Sequence, residues 1–321
     1  MNKKLFAIGL GLVAVLLLWS GVSIYPDWLW FENLNFSPVF WTMLLSKFGF
    51  GFLIGLLLII IISINLWVAK RLSPGGGSGL GFKAADDYVA QLGLSGRAVN
   101  SILIALILVL SFVIASKGSD QWNLFLRYLY QQPFGSTDPI FNRDIGFYLF
   151  SLPFYIFIRE GLLVLFVLAG LVTMGWYLKN GALEIEGEFS QEQGTAPSFP
   201  KIAVSPKVRK HLIFLGGIIV LLLAWGYHLK IYNLLYSTQG PAFGASYTDV
   251  HIKVLAFKAL IIVCLVFALI LFYSAFKFRL KLLWLSSAIW LGTVLVFGNL
   301  LPILVQQFVV KPNELAKESP Y

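Results

Sequence analysis

Acid–base and metal chemistry need carboxylates, imidazoles or thiolates within reach of one another, and few segments of this chain offer them. Tyr247–His251 supplies Asp249 and His251, while the stretch 137–150 supplies Asp138, Arg143 and Asp144 among aromatic residues. An aspartate with a histidine can relay a proton, and His228 with Asp249 and His251 can be drawn as a metal site. That metal pattern is weak, because Asp249 and His251 are two residues apart and face different sides of a helix. Arg159 and Glu160 lie inside an apolar run, where ionisable groups are costly and often functional. Cys264 is the only cysteine, which excludes an internal disulfide or a thiolate metal cluster.

Each candidate also has a structural reading. Thr248 or Asp249 is placed to cap a helix that follows, where free amides and the dipole favour an acid. Asp138-Pro139 suggests a turn locked by an Arg143–aspartate pair, and the sharper alternative is a groove for lipid or substrate. Lys47 and Lys258 sit near span ends and can snorkel to headgroups. The catalytic candidates are therefore Asp138, Asp144, Asp249 and His251. The structural or docking candidates are Asp138, Arg143, Asp144, Arg159, Glu160, Tyr247, Thr248 and Asp249. No cofactor and no metal is expected.

The elements that must position these residues are membrane helices by composition. Of 321 residues, 58% are hydrophobic and 12% charged, with mean hydropathy +0.82, against about 25% charged in soluble domains. A hydrocarbon core of ~30 Å takes roughly 20 helical residues. Seven apolar stretches qualify or nearly so, at about 5–24, 39–68, 98–115, 153–178, 212–229, 254–276 and 282–304. The first follows Lys3-Lys4 without a convincing cleavage site and reads as an uncleaved anchor. A break is expected at Pro153, and Pro302 is expected to kink or close the last span. Trp122, Phe125, Leu126 and Leu129 recur at helical spacing, the pattern of an amphipathic helix in the interface plane. The expected fold is all-α, a polytopic membrane protein with seven transmembrane helices plus that interfacial helix. Residues 1–308 form the membrane domain and 309–321 begin an extracytoplasmic region.

Charge orients it. Lys3, Lys4, Lys70, Arg71, Lys83, Arg97, Lys179, Lys201, Lys207, Arg209, Lys210, Lys277, Arg279 and Lys281 fall on one side, and the other side has scattered lysines and arginines without such clusters. By the positive-inside rule the amino terminus is cytoplasmic and the carboxyl terminus extracytoplasmic. The net charge of +9 is thereby accounted for, and no nucleic-acid partner is needed. Pro74–Gly81 is a glycine-rich linker on the inner side, lacking the lysine of a phosphate-binding loop. Glu184, Glu186 and Glu188 alternate with apolar residues, which suggests a short extended segment.

Five ordered motifs, at Asp27–Phe31, Asp138–Phe150, Leu234–Ser237, Gly244–His251 and Val310–Glu318, strongly resemble those of a bacterial membrane family, uncharacterised protein family 0182, across essentially the whole chain. That resemblance implies no established activity. It also implies a large extracytoplasmic region beyond the point where this chain stops, so the chain reads as a fragment or a naturally short member. Three functions compete: a membrane anchor or platform for an extracytoplasmic domain or partner in envelope upkeep, a carrier or flippase for a lipid or small solute, and an outer-leaflet enzyme on a lipid-linked substrate. Membrane lipids, and an extracytoplasmic protein or the missing carboxyl-terminal region, are the expected partners.

Overall fold

Residues 21–73, 96–179, 182–186, 201–240 and 243–318 are described by a computed structural model. The first expected span and the glycine linker lie almost wholly outside the described residues. Helix α1 is described over 21–33, followed by α2 (Ser37–Leu72), α3 (Gly96–Ser119) and the short α4 (Trp122–Leu129). A π-turn at Phe147–Ser151 runs into α5 (Leu152–Lys179). Strands β1 (Leu183–Glu186) and β2 (Lys201–Val204) pair antiparallel, Leu183 opposite Val204. Then come α6 (Pro206–Asn233), a π-turn at Asp249–Lys253 leading into α7 (Val254–Phe276), and α8 (Leu280–Leu295). The last helical stretch continues through α9 (Leu301–Val305) to α10 (Glu314–Glu318).

Among the described residues, five helices are long and apolar enough to cross a membrane, or six if the bent pair α3–α4 counts as one. Helix α2 has 36 residues, about 54 Å at ~1.5 Å per residue, well beyond the ~30 Å of hydrocarbon. The amphipathic segment 120–132 forms α4, bent 52° from α3. Its ring-bearing face packs inward: Phe125 stacks on Phe50 of α2 at 5.0 Å between centroids, and Tyr128 on Phe154 of α5 at 4.4 Å.

Pro153 does not act as expected, and Pro302 does not close the last helical stretch. The helix does not break at Pro153 but enters from the π-turn, where the Leu152 amide bonds to the Phe147 carbonyl five residues back. In that register Pro153 would have served the Tyr148 carbonyl, and proline has no amide hydrogen to give. The Tyr236 hydroxyl takes its place, donating to the Tyr148 carbonyl at 3.1 Å. Pro302 likewise follows a π-turn, Val296–Leu300, and the helical path continues past it to Glu318. A π-turn shifts the donor register ahead of each proline, so the ring meets a carbonyl already out of the regular ladder.

Packing follows the chain: α2 contacts α3 and α5, α5 contacts α6, α6 contacts α7, and α7 contacts α8. Leu58 and Ile62 of α2 meet Leu165 and Ala169 of α5, and Val220 and Ala224 of α6 meet Cys264, Phe267 and Ala268 of α7. Lipid tails are as apolar as leucine, so helices gain mainly from close fit, which small residues permit. Gly51 and Gly55 of α2 face Ser111, Ala115 and Ser119 of α3. A Cβ at Gly51 would lie 2.8 Å from that of Ser119, while one at Gly49 would meet nothing within 4 Å. Gly51→Leu is therefore expected to destabilise the bundle by about 2 kcal/mol through overpacking, and Gly49→Leu to be tolerated. Thermal melting of both variants in detergent checks this.

Candidate functional site

One end of the bundle carries α4, the loop 130–146, the 234–248 loop and the segment 306–318. We call it the aromatic end. The opposite, basic end carries Lys70, Arg71 and Arg209, with the Arg71 and Arg209 guanidinium groups over Trp67 at 3.9 Å and Phe278 at 3.4 Å.

At the aromatic end Asp138 and Asp144 act as hubs for backbone amides. Asp138 is buried and accepts from the amides of Ile140, Phe141 and Arg143 at 2.9, 2.6 and 2.9 Å, and from the Tyr148 hydroxyl at 2.7 Å. Asp144 accepts from Phe134, Gly135 and Gly146 at 3.1, 3.0 and 2.7 Å. A bridge between Thr137 and Asp144 closes the loop, and Asn142 sits at φ 53°, a left-handed position that asparagine tolerates. The expected Arg143–aspartate pair does not form. The Arg143 backbone amide serves Asp138, and its guanidinium lies near the rings of Phe147 and Tyr232, at 5.7 and 5.8 Å. A residue whose main chain is fixed by the turn projects its side chain outward, and two aromatic faces offer it a seat.

These contacts set the protonation of both aspartates. Burial pushes the Asp138 carboxyl upward, but the amides of Phe141, Arg143 and Ile140 with the Tyr148 hydroxyl outweigh it and hold the pKa below the ordinary 3.8. The Phe134 amide, then those of Gly146 and Gly135, hold Asp144 below it as well, against a smaller opposing effect of burial. Depressed carboxylates of this kind bracket a loop; they are poor proton carriers near neutral pH.

The second constellation closes the start of α7. The Ser246 hydroxyl accepts the Asp249 amide at 3.3 Å, and Asp249 Oδ2 accepts the Ser246 amide and hydroxyl at 3.1 and 3.0 Å. This reciprocal arrangement is a capping box with aspartate in the glutamate position. The cap therefore belongs to Ser246 and Asp249, and the Thr248 hydroxyl instead donates to the Gln306 side chain. Asp249 is fully buried, with Lys253 Nζ 2.7 Å from its Oδ1 as an ion pair. The buried Glu318 carboxylate accepts the Tyr247 amide at 3.0 Å, and Lys317 lies over the Tyr247 ring at 4.9 Å.

His251 stays exposed, its ring 4.4 Å from that of Tyr247, and His228 packs edge-on to Tyr232 at 5.3 Å. Among the described residues, no group of three histidines, cysteines or acids is placed to hold a metal. Arg159 and Glu160 diverge. Arg159 Nε donates to the Leu222 carbonyl at 3.1 Å, its guanidinium filling the space over Gly226, where a Cβ would come within 2.5 Å; Glu160 is exposed. Lys47 reaches Asp120 at 3.9 Å, and Lys258 is exposed.

One polar chain went unforeseen. Near the basic end the buried Tyr177 hydroxyl lies 2.8 Å from His211 Nδ1, and His211 Nε2 lies 3.3 Å from Asn65 Oδ1. Every member is satisfied with the His211 proton on Nε2, and the Asn65 amide goes to the Ile61 carbonyl at 2.8 Å. It joins α2, α5 and α6. The sequence signal was one asparagine inside an apolar run with a tyrosine and a histidine near the ends of two others, which names no pairing.

Asp138→Ala strips four donors of their acceptor and is expected to cost about 3 kcal/mol. A depressed carboxylate contributes stability that is present above its unfolded pKa and lost as pH falls through its folded one. Protection factors of the amides across 134–148 are therefore expected to be high at pH 7, to fall only on acidification below about pH 4, and to be low at both pH values in Asp138→Ala.

The Uncharacterised protein family (UPF0182) matches residues 4–321. A UPF0182 protein of Desulforamulus reducens is 33% identical over 100% of this chain and 35% of its own length. One of Pelotomaculum thermopropionicum is 34% identical over 98% of this chain and 34% of its own, and one of Sulfurovum is 31% identical over 100% and 34%. This chain thus spans about a third of the relatives it matches. No solved structure matches it. With a family match from Lys4 to the last residue and relatives aligned along its full length, the chain belongs to UPF0182.

Proposed function

We propose that this chain is a bacterial inner-membrane platform whose aromatic end, on the extracytoplasmic side, seats an extracytoplasmic domain or partner in envelope upkeep. In this reading the bundle makes seven crossings, counting 5–24, with the amino terminus cytoplasmic. The observation that carries it is the joining of sequence-distant loops into one surface. Asp138 holds Tyr148, the Tyr148 carbonyl holds Tyr236, and Glu318 and Gln306 hold Tyr247 and Thr248. Tyr130, Phe134 and Phe243 stand exposed on that surface, and exposed aromatics of this kind serve as anchors in docking.

A carrier would need a polar path between spans, whereas the clusters between α2 and α5 and between α6 and α7 are predominantly apolar. An enzyme would need an accessible acid–base pair, whereas Asp249 is wholly enclosed and His251 points elsewhere.

Single cysteines in a Cys264→Ser background test the orientation, since Cys264 is buried. Phe243→Cys is expected to react with a membrane-impermeant maleimide on intact cells, and Lys207→Cys only after lysis. The reverse pattern overturns the orientation. A photo-crosslinker at Phe134 or Phe243 is expected to give a discrete protein adduct that Asp138→Ala weakens several-fold; lipid adducts alone, unchanged by that substitution, contradict the platform.

A further inference from the structure

Among the described residues, Glu160 is an acid on a spanning helix for which the fold provides no partner. It is exposed on α5 and, among the described residues, makes neither a hydrogen bond nor an ion pair. Its neighbour Arg159 turns away to the Leu222 carbonyl. A carboxylate more than two turns along α5 from Leu152 is costly in lipid unless something neutralises it.

Two recesses meet at this side chain. One is a trough of about 370 Å³ between α2, α3 and α5, walled by residues such as Ile54, Leu57, Val113 and Ile114, with Lys117 and Glu160 as its charged groups. The other is a mouth of about 400 Å³ below α4, where Gln121, Asn233 and Tyr236 join Glu160. Phe157 and Glu160 line both. Each is large enough for part of a ligand, and together they run from an apolar trough into a polar opening.

We propose that trough and mouth together hold one aminophospholipid, with an acyl chain along α2, α3 and α5, its phosphate at Lys117 and its primary ammonium at Glu160. Charge complementarity selects this occupant. Lys117 is also exposed and makes no ion pair among the described residues, so the trough presents one cation and one anion. A phosphate ester bearing an ammonium group answers both. An anionic glycerol headgroup would satisfy Lys117 and leave Glu160 facing added negative charge. A choline headgroup carries the positive charge but no N–H to donate to the carboxylate. Gln121, Asn233 and Tyr236 supply neutral donors and acceptors around the headgroup. The site needs only that these helices lie in a bilayer; it stands whether or not the aromatic end seats a partner.

The test titrates the full chain in mild detergent with dioleoyl phosphatidylethanolamine, phosphatidylcholine or phosphatidylglycerol and counts bound lipid by native mass spectrometry. Phosphatidylethanolamine is expected to bind about tenfold more tightly than the other two, the worth of one charge-assisted hydrogen bond. Glu160→Gln is expected to remove that preference, with the melting temperature unchanged because the side chain is exposed. Val113→Trp, which fills the trough, is expected to abolish retention of all three lipids. Equal binding of the three by the unaltered chain, or a preference that survives Glu160→Gln, overturns the proposal. Retention unaffected by Val113→Trp overturns the acyl-chain seat.

Discussion

Backbone amides and carbonyls in apolar surroundings must find partners within the protein, and the architecture of this chain is arranged around that requirement. Regular helix meets it over most of α2, α3, α5, α6 and α7. Three exceptions at the aromatic end are instructive because named side chains meet them. Pro153 leaves the Tyr148 carbonyl without its amide, and Tyr236 supplies a hydroxyl from α6's far end. The irregular loop 134–146 turns its amides onto two aspartates instead of water. Where the chain re-enters helix at Tyr247, Ser246 and Asp249 cap it from within and Glu318 takes another amide.

The same accounting explains which polar residues hold the helices together. Arg159 donates to a main-chain carbonyl on α6, and Gly226 leaves the space its guanidinium occupies. Asn65, Tyr177 and His211 tie three helices at the basic end without an unpaired ring nitrogen. Between these two polar ties the contacts are apolar and close, helped by small residues such as Gly51 and Gly55. The described helices are thus tied at two places by polar groups and packed elsewhere by largely apolar contacts.

Much of this was legible in the sequence. The apolar runs mark α2, α3, α5, α6 and α7 to within a few residues at most ends, and the Trp122, Phe125, Leu126 spacing marks α4. Asp249 was legible as a capping residue beside Thr248, whereas its partner Ser246, three residues before it, was not singled out. The partners across long separations were not legible. Tyr236 lies 88 residues from the carbonyl it serves, His211 lies 146 from Asn65, and nothing local in either segment names the other. The break expected at Pro153 fails for a related reason. A proline reports a missing amide but not whether a π-turn has already moved the affected carbonyl to where another element can serve it.

The Tyr236–Tyr148–Asp138 chain links the loops of the aromatic end into one mechanically joined surface. Hydrogen exchange on Tyr236→Phe measures this directly, since the substitution removes one hydroxyl and leaves the ring in place. Faster exchange is expected both at 232–238 and across the remote 134–148 loop, with α2 and α3 unchanged. Faster exchange confined to 232–238 would contradict it.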